Sequence, residues 1–154
     1  MLVIAESENA SLNKEETVMS ENHPKGCLFC DVQTIDQTRI VEENELAFVV
    51  RDGFPVTEYH SLLIPKRHVL DYFGLMVPEV TAIHALLHSQ KEYLNNIDPS
   101  IDGFNIGMNC GKTAGQSVWH CHVHLIPRRI GDVEFPKGGV RHVIPYKGNY
   151  EDLR

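Results

Sequence analysis

The stretch HCHVHLIPRR, residues 120–129, places a histidine at three alternate positions. On a β-strand alternate side chains fall on one face, so His120, His122 and His124 would share a face and the apolar residues between them would lie on the other. An imidazole can ligate a metal, attack an electrophile or carry a proton near neutral pH. The run therefore predicts a catalytic site, with or without a metal.

Two kinds of chemistry fit histidines at this spacing. A His-x-His pair on a strand can supply two of the three imidazoles of a catalytic zinc site, with a further position open to water. Alternatively, one imidazole can attack an electrophile covalently while its neighbours manage charge and protons. The histidine run by itself leaves both kinds of chemistry open.

The loop CGKTAGQ, residues 110–116, enters the same segment and is rich in small and polar residues. Glycines let a backbone approach a ligand closely, and successive amides with a nearby hydroxyl can form an anion-binding nest. Taken alone this signal is weak.

Short apolar runs predict the strands that position these residues. ELAFVV (45–50) and HSLLIP (60–65) are separated by a loop containing Asp, Gly and Pro, which predicts an antiparallel pair. FNIGMN (104–109) and SVWHCHVHLIP (117–127) predict two more strands. The predicted sheet would then end on the histidine run.

One long helix is predicted over residues 77–96, with Pro78 in its first turn and apolar residues at the spacing of one helical face. His84 and His88 lie four residues apart on it, a spacing that can bind a metal. Without an accompanying Glu or third ligand, both are predicted to lie on the helix surface. Strands around one long helix predict an α+β fold with an antiparallel sheet.

Length and composition limit the function classes. The chain has 154 residues, 42% of them apolar, and a net charge of −7, which argues against general affinity for nucleic acid. Residues 1–25 are predicted to form a mobile acidic arm, and residues 26–154 a single domain that ends in a basic tail from about residue 128. Neither a signal peptide nor a membrane span is predicted, and four cysteines are too few for a disulfide scaffold, so a cytoplasmic location is expected.

Read with the preceding loop, GQSVWHCHVHLI (115–126) resembles the signature of the histidine triad (HIT) family of nucleotide hydrolases and transferases, His-φ-His-φ-His-φ-φ with φ apolar. Cys121 fills one φ position as a small apolar group. Four upstream segments are similar to family landmarks in the same order: CLFC, LAFVVRDGFP, YHSLLIPKRHV and GMN. The resemblance covers about residues 27–130. It implies a HIT-like fold of about five antiparallel strands with one long and one short helix, and a homodimer.

The resemblance also implies roles for individual residues. His122 would be the nucleophile that attacks an α-phosphorus and forms a nucleotidyl-histidine, flanked by His124 and by His60 on the adjacent strand. Ser117 would act on the leaving-group side. The expected substrate-binding residues are Asp52 for the ribose hydroxyls, Leu28 and Phe29 for the base, and Asn109 and Gln116 for the phosphate.

A zinc-bearing subset of the family shares a CxxC motif with this chain. Its pattern implies a zinc site formed by Cys27, Cys30, His68 and His120. Two thiolates and two imidazoles suit a closed tetrahedral site, which would be structural. If His120 is a zinc ligand, His122 is free to act as the nucleophile. A redox role remains the alternative for the cysteines.

The function that follows is a nucleotidyl hydrolase or transferase, with diadenosine polyphosphates as the leading substrate class. The alternatives are a purine nucleoside phosphoramidase and a zinc-stabilised nucleotide-binding module without significant turnover. The segment from Arg128 to Tyr150 carries five Lys and Arg residues and Gly138-Gly139. We expect it to fold back over the site and to contact distal phosphates through a cation; a packing or dimer element is the alternative.

Overall fold

The structure, a computed structural model, describes residues 23–149. Nearly all of the predicted N-terminal arm (residues 1–22) and the end of the basic tail (residues 150–154) lie outside the described residues. Between residues 23 and 149, no helix is long and apolar enough to cross a membrane.

The described residues form two α-helices and five β-strands. The strands make one sheet in the order β1-β2-β3-β5-β4, with every neighbouring pair antiparallel. This confirms the α+β fold with a five-stranded antiparallel sheet, one long helix and one short helix. In chain order the elements are α1 (Leu28–Thr34), β1 (Ile40–Glu43), β2 (Ala47–Arg51), β3 (Ser61–Pro65), α2 (Val77–Ile97), β4 (Ile101–Gly107) and β5 (Val123–Arg129).

The long helix α2 forms where the sequence predicts it, one residue longer than expected. At its start the Glu79 carboxylate accepts a hydrogen bond from the Met76 N–H, and Pro78 fits the first turn, where its missing N–H has no helical partner. Ile83, Leu86 and Leu94 are buried against the sheet. The face predicted from positions 80, 83, 87 and 94 is only partly the core-facing side: Ile83 and Leu94 are buried, Val80 and Leu87 are partly buried, and Leu86 occupies a core position outside the predicted set.

Both faces of the central strands are covered. Leu63, Val123 and Leu125 face α2, while Leu62 and Ile64 pack with side chains of α1. Burial on both faces explains why β2 and β3 are continuous apolar runs without polar alternation. His124, which lies between Val123 and Leu125 and pairs with Leu62, must therefore face the α1 side.

The prediction of one strand over residues 117–127 is wrong in its first half. Pairing of β5 with β3 ends at Leu63 and Val123, and just before it the Cys121 N–H donates to the Val69 carbonyl, outside the sheet, at 2.7 Å. His120 and His122 thus precede the strand, and only His124 lies in it. The three histidines do not share one strand face.

The remaining strand predictions differ by smaller amounts. The antiparallel pair predicted over 45–50 and 60–65 is confirmed, each strand beginning one or two residues later. Strand β4 begins and ends earlier than the predicted range 104–109. Strand β1 was not predicted, because its four residues include two glutamates, which are depleted in strands.

Candidate active site and metal centre

Four side chains with metal-ligating atoms converge near the start of helix α1. Cys27 precedes the helix and Cys30 lies within it, while His68 follows β3 and His120 precedes β5. The Sγ atoms of Cys27 and Cys30 lie 3.4 and 3.6 Å from His120 Nδ1, and Cys30 Sγ lies 3.5 Å from His68 Nδ1. Ligand atoms about 2.0–2.3 Å from a tetrahedral ion are separated by about 3.5 Å, so these donors have tetrahedral spacing.

A backbone carbonyl determines which nitrogen of His120 faces the cysteines. His120 Nε2 lies 2.9 Å from the Pro65 carbonyl oxygen, which can only accept, so Nε2 carries the hydrogen and Nδ1 presents its lone pair to the thiols. Burial lowers the pKa of His120 to about 4, so the ring is neutral, as a metal ligand must be. Burial, together with the neighbouring Cys27, raises the pKa of the Cys30 thiol to about 12. A bound cation would favour the thiolate instead.

The donor set fits zinc. Two sulfurs and two imidazole nitrogens, all within 4.8 Å of one another, match a Cys₂His₂ site. A redox pair would need only the two thiols and would not explain the two imidazoles beside them. The structure therefore brings together all four metal ligands predicted from the sequence.

The second cluster contains the other two histidines of the run. His122 is nearly buried, and its Nδ1 donates to the His120 carbonyl at 2.8 Å. Because that carbonyl can only accept, the lone pair of the neutral His122 ring is on Nε2. The rings of His122 and His124, and those of His124 and His60, have centroids 5.2 Å apart. The predicted nucleophile thus lies beside both predicted flanking histidines.

A chain of polar contacts runs from Asp52 through His60 to His124. His60 Nε2 and His124 Nδ1 are 3.0 Å apart, and an Asp52 carboxylate oxygen lies 3.4 Å from His60 Nδ1. These three residues could be considered as metal ligands. However, Asp52 and His124 face opposite nitrogens of the His60 ring, so the contacts do not converge on one point. His60 Nδ1 accepts a hydrogen bond from the Val56 N–H at 3.3 Å, so Asp52 lies beside this nitrogen without bonding to it. His60 and His124 form the hydrogen-bonded relay.

Both relay histidines are held in the neutral form. Burial, and then the adjacent His122 and His60, lower the pKa of His124 to about 4. Burial also lowers the pKa of His60, against an opposing effect of Asp52. Neutral imidazoles can each donate one hydrogen bond and accept another, so the pair can handle protons at pH 7.

The predicted phosphate-side residues have different environments. Ser117 is exposed, and Asn109 follows β4 and lines a cavity beside His60 and His124. Gln116 is buried: its amide oxygen accepts from the Gly111 N–H, and its amide nitrogen donates to the carbonyls of Leu70 and Val118. Gln116 therefore holds the loop before the histidines, whereas Ser117 and Asn109 are available to a ligand.

The two predicted base-binding residues differ in their exposure to solvent. Leu28 is 47% exposed at the start of α1, so it can offer an apolar surface to a base. Phe29 is buried, and its ring contacts those of His120 and His122 edge-on at 5.9 and 5.2 Å between centroids. Phe29 thus packs between the metal cluster and the predicted nucleophile. A stacking role for both residues stays a prediction.

The basic tail folds back as predicted. Gly138 and Gly139 have φ angles of 95° and 44°, which suit glycine, and the turn that follows brings two valines to a cavity of about 430 Å³ beside His60 and His124. The apolar side chains that line it are Val56, Ile106, Met108, Ile126, Val140 and Val143. No lysine or arginine of residues 23–149 lines this cavity, and the Arg141 guanidinium donates to the Gly148 and Lys147 carbonyls.

Some of these features carry no signal in the sequence. Val140 and Val143 carry no chemical signal, and the carbonyls of Pro65 and His120 that fix the imidazoles cannot be recognised from residue types. His84 and His88, by contrast, are exposed on α2 as predicted. Within the described residues they belong to no group of three metal-ligating side chains.

Comparisons with known proteins agree with this geometry. A HIT domain profile matches residues 33–131. An uncharacterised HIT-like protein of Mycoplasma genitalium is 36% identical over 111 residues, covering 71% of this chain and 78% of that protein. A protein of Mycobacterium tuberculosis named AP-4-A phosphorylase is 31% identical over 97 residues, which cover 62% of this chain and 49% of that protein.

One similar solved structure is that of a zinc-bound protein. The crystal structure of a Zn-bound histidine triad family protein from Mycobacterium smegmatis superposes with a TM-score of 0.64 at 33% identity, covering 70% of this chain and 78% of that one. The profile match, the relatives and the two histidine clusters lead to one assignment: the chain belongs to the HIT domain family.

Proposed function

We propose that this protein is a nucleotidyl hydrolase or transferase that forms a covalent nucleotidyl-histidine on Nε2 of His122. The observation that carries the proposal is the hydrogen bond from His122 Nδ1 to the His120 carbonyl, 2.8 Å long. It leaves the Nε2 lone pair for attack on the α-phosphorus of a nucleotide conjugate. The HIT family assignment supports the same reaction class.

The proposed reaction has two steps. In the first, His122 Nε2 bonds to the α-phosphorus, the bond from phosphorus to the leaving group breaks, and the leaving group takes up a proton. The His122 ring gains positive charge, which its Nδ1–H shares with the His120 carbonyl through the bond described above. In the second, water or another acceptor attacks the phosphorus and releases the nucleotide, which returns His122 to its neutral form.

The neighbours of His122 would manage protons and phosphate oxygens. The exposed Ser117 hydroxyl would pass a proton to the leaving group in the first step and take one back from the attacking water in the second. Asn109 and His124 would contact the phosphate oxygens. His60 would orient His124 through the 3.0 Å contact between their rings. None of these side chains adds negative charge beside the phosphate, as stabilisation of a phosphorane-like state requires.

The nucleoside would bind beside these residues. Asp52 would accept hydrogen bonds from the ribose hydroxyls, and Leu28, with Phe29 behind it, would provide the apolar surface for the base. Gln116 would act indirectly by holding the loop that carries Ser117. The homodimer, the cytoplasmic location and the absence of a nucleic-acid ligand stay predictions from sequence.

Two substrate classes compete. Diadenosine polyphosphates are supported by the similarity to the protein named AP-4-A phosphorylase. Nucleoside phosphoramidates, in which an amine leaves, are favoured by the cavity beside His60 and His124, because its lining is largely apolar, its polar members are neutral amides and imidazoles, and it includes no described lysine or arginine. A polyphosphate leaving group would place several negative charges in a cavity that offers no cation to pair with them.

We also propose that Cys27, Cys30, His68 and His120 hold a structural zinc ion. Bound there, zinc would fill its tetrahedral shell with protein ligands and would tie α1 to the segments that follow β3 and precede β5. This chain's own residues, and not the ion, carry out the proposed reaction. The ion would keep His120 fixed and, through its carbonyl, orient His122.

The test is a comparison of substrates with one readout. AMP release would be measured in parallel from diadenosine tetraphosphate and from an AMP-amine conjugate, with wild type, His122→Ala and, as a matched histidine on the exposed surface of α2, His84→Ala. We expect release by wild type and His84→Ala and none by His122→Ala. Nucleotide binding without release by the wild type would instead favour a binding module without turnover.

A further inference from the structure

Behind the relay histidine His60, on the α2 face of the sheet, lies a polar network with no assigned role. Arg51 and Ser61 are paired residues at the end of the β2–β3 ladder, and the Asp52 N–H donates to the His60 carbonyl just beyond them. Because side chains alternate along a strand, Arg51 and Ser61 face α2 while His60 faces His124. The network is therefore one residue away from the site and on the opposite side of the sheet.

The network joins four elements: strands β1, β2 and β3 and helix α2. The Arg51 guanidinium donates to the Ser61 hydroxyl and, at 2.8 Å, to the Gln90 side-chain oxygen, while the Gln90 amide nitrogen donates to the Glu42 carboxylate. Ser61 and Gln90 are 0% and 3% exposed, so these polar groups depend on each other for hydrogen bonds. Glu42 balances the charge of Arg51 through Gln90. Strands β1, β2 and β3 are thereby tied to helix α2.

The same network holds an unusual backbone. Tyr59, directly before His60, has a φ of 66°, a left-handed conformation that a tyrosine rarely adopts. Its carbonyl accepts from the Ser61 hydroxyl at 2.7 Å, and the Arg51 guanidinium carbon lies 6.0 Å from the centre of its ring. Both ends of Tyr59, carbonyl and ring, are thus fixed by side chains of the network.

We propose that Arg51, Ser61 and Gln90 form a positioning network that holds Tyr59 in its left-handed conformation and thereby fixes the His60 ring against His124. Strained backbone persists only where its surroundings hold it, and it is concentrated at functional sites. If Tyr59 relaxed to a common conformation, the chain would enter His60 at a different angle and the 3.0 Å contact with His124 would be lost. The three residues act through His60 and do not touch the substrate.

The kinetic test rests on the proposed function. Ser61→Ala and Arg51→Met should each lower kcat by about 10- to 100-fold with KM nearly unchanged, because the reacting groups are misplaced while the base and ribose contacts remain. Arg51→Lys should recover part of the loss, since an ammonium can still donate to Ser61 and Gln90. Asp98→Asn is the matched control: it breaks a partly buried ion pair with Arg129 that has no connection to Tyr59.

A second readout does not depend on activity. Nitrogen NMR of the imidazole rings reports which ring nitrogen of His60 and of His124 is hydrogen-bonded. We expect the His60 signals to move toward those of a solvated ring in Ser61→Ala and Arg51→Met, and to stay in place in Asp98→Asn. Unchanged His60 signals in both network variants would overturn the positioning role. A wild type without turnover on any nucleotide would refute the proposed function alone, because the NMR comparison would still decide this inference.

Discussion

His120 and His122 are two residues apart and are held in the same way, yet they present opposite nitrogens to their surroundings. The Pro65 carbonyl takes the Nε2 hydrogen of His120, which leaves Nδ1 for the cysteines. The His120 carbonyl takes the Nδ1 hydrogen of His122, which leaves Nε2 for a substrate. Identical side chains thus present opposite ring nitrogens, one suited to bind a metal and the other to act as a nucleophile, because different backbone carbonyls fix their tautomers.

The two clusters are also connected. The Phe29 ring contacts both histidines, and the His120 carbonyl that orients His122 belongs to a proposed metal ligand. We expect this connection to be directional: loss of order in the cysteine–histidine cluster should disturb the proposed nucleophile, whereas removing the His122 ring should leave the four proposed ligands in place. Substitutions in one cluster should therefore be distinguishable from substitutions in the other.

His122→Ala should abolish turnover, with a loss on the order of 10⁴-fold or more, because the variant lacks the proposed nucleophile. Nucleotide affinity and zinc content should stay within about twofold of wild type, since Asp52, Leu28 and the metal ligands are untouched. Turnover by steady-state kinetics, affinity by calorimetry and zinc by elemental analysis check this. Substantial turnover by the variant would end the covalent mechanism.

Cys27→Ser should release most of the zinc and lower the melting temperature by about 10 °C, because a ligand that helps to hold α1 is lost. Activity should also fall, as His120 and its carbonyl lose their support. Cys110→Ser is the control, since Cys110 lies outside the metal cluster. A metal-free protein that melts like the wild type would refute the four-ligand site.

Acid should destabilise the fold through His124, whose pKa burial lowers to about 4. An unfolded histidine has a pKa of about 6.5, so between pH 6.5 and 4 the unfolded chain binds more protons, and stability is lost as the pH falls through this window. In His124→Asn the free energy of unfolding should decrease less from pH 7 to pH 4.5, by about 1 kcal/mol after allowing for solvent screening.

Urea titrations of both proteins at pH 7 and at pH 4.5 measure this difference. The cysteine ligands also bind protons in acid, so only the difference between wild type and variant reports on His124. Equal decreases in the two proteins would contradict a neutral His124 in the folded state.

The tail should have the smallest effect. Replacing Val140 and Val143 together with Ser should raise KM about threefold for conjugates with bulky apolar leaving groups and leave KM unchanged for a small leaving group, because apolar contact area is lost from one side of the cavity. Lys137→Ala with Arg141→Ala tests the earlier expectation of phosphate contacts. A selective KM increase for diadenosine tetraphosphate in that variant would favour the polyphosphate substrate instead.

Much of the fold could be predicted because its signals are local. Helix α2 has a proline in its first turn and a clear apolar face, and β2 and β3 are continuous runs of strand formers. The beginning of β5 could not be predicted, because the segment before Val123 alternates like a strand but its backbone bonds to Val69, far away in sequence. Only the tertiary structure shows that partner.

The candidate site likewise has some features that the sequence could predict and others that only the structure shows. Cys27, Cys30, His68 and His120 were identified from a family pattern, and the structure brings them together. The family pattern could not show that the Gln116 side-chain amide is hydrogen-bonded to backbone groups. It also could not show that Phe29 is buried, because burial depends on the tertiary structure and not on residue type alone. Likewise, the positive charge of the tail suggested phosphate contacts, while its valines are the residues that reach the cavity.

The most direct test of the central claim is to identify the nitrogen that bears the nucleotide. Wild-type protein would be mixed with an AMP conjugate labelled at the α-phosphorus, quenched in alkali and digested, and the labelled histidine identified by mass spectrometry and by comparison with the two phosphohistidine isomers. The account predicts label on Nε2 of His122 in wild type and none in His122→Ala. Label on Nδ1, on another histidine, or on no residue during active turnover would contradict it.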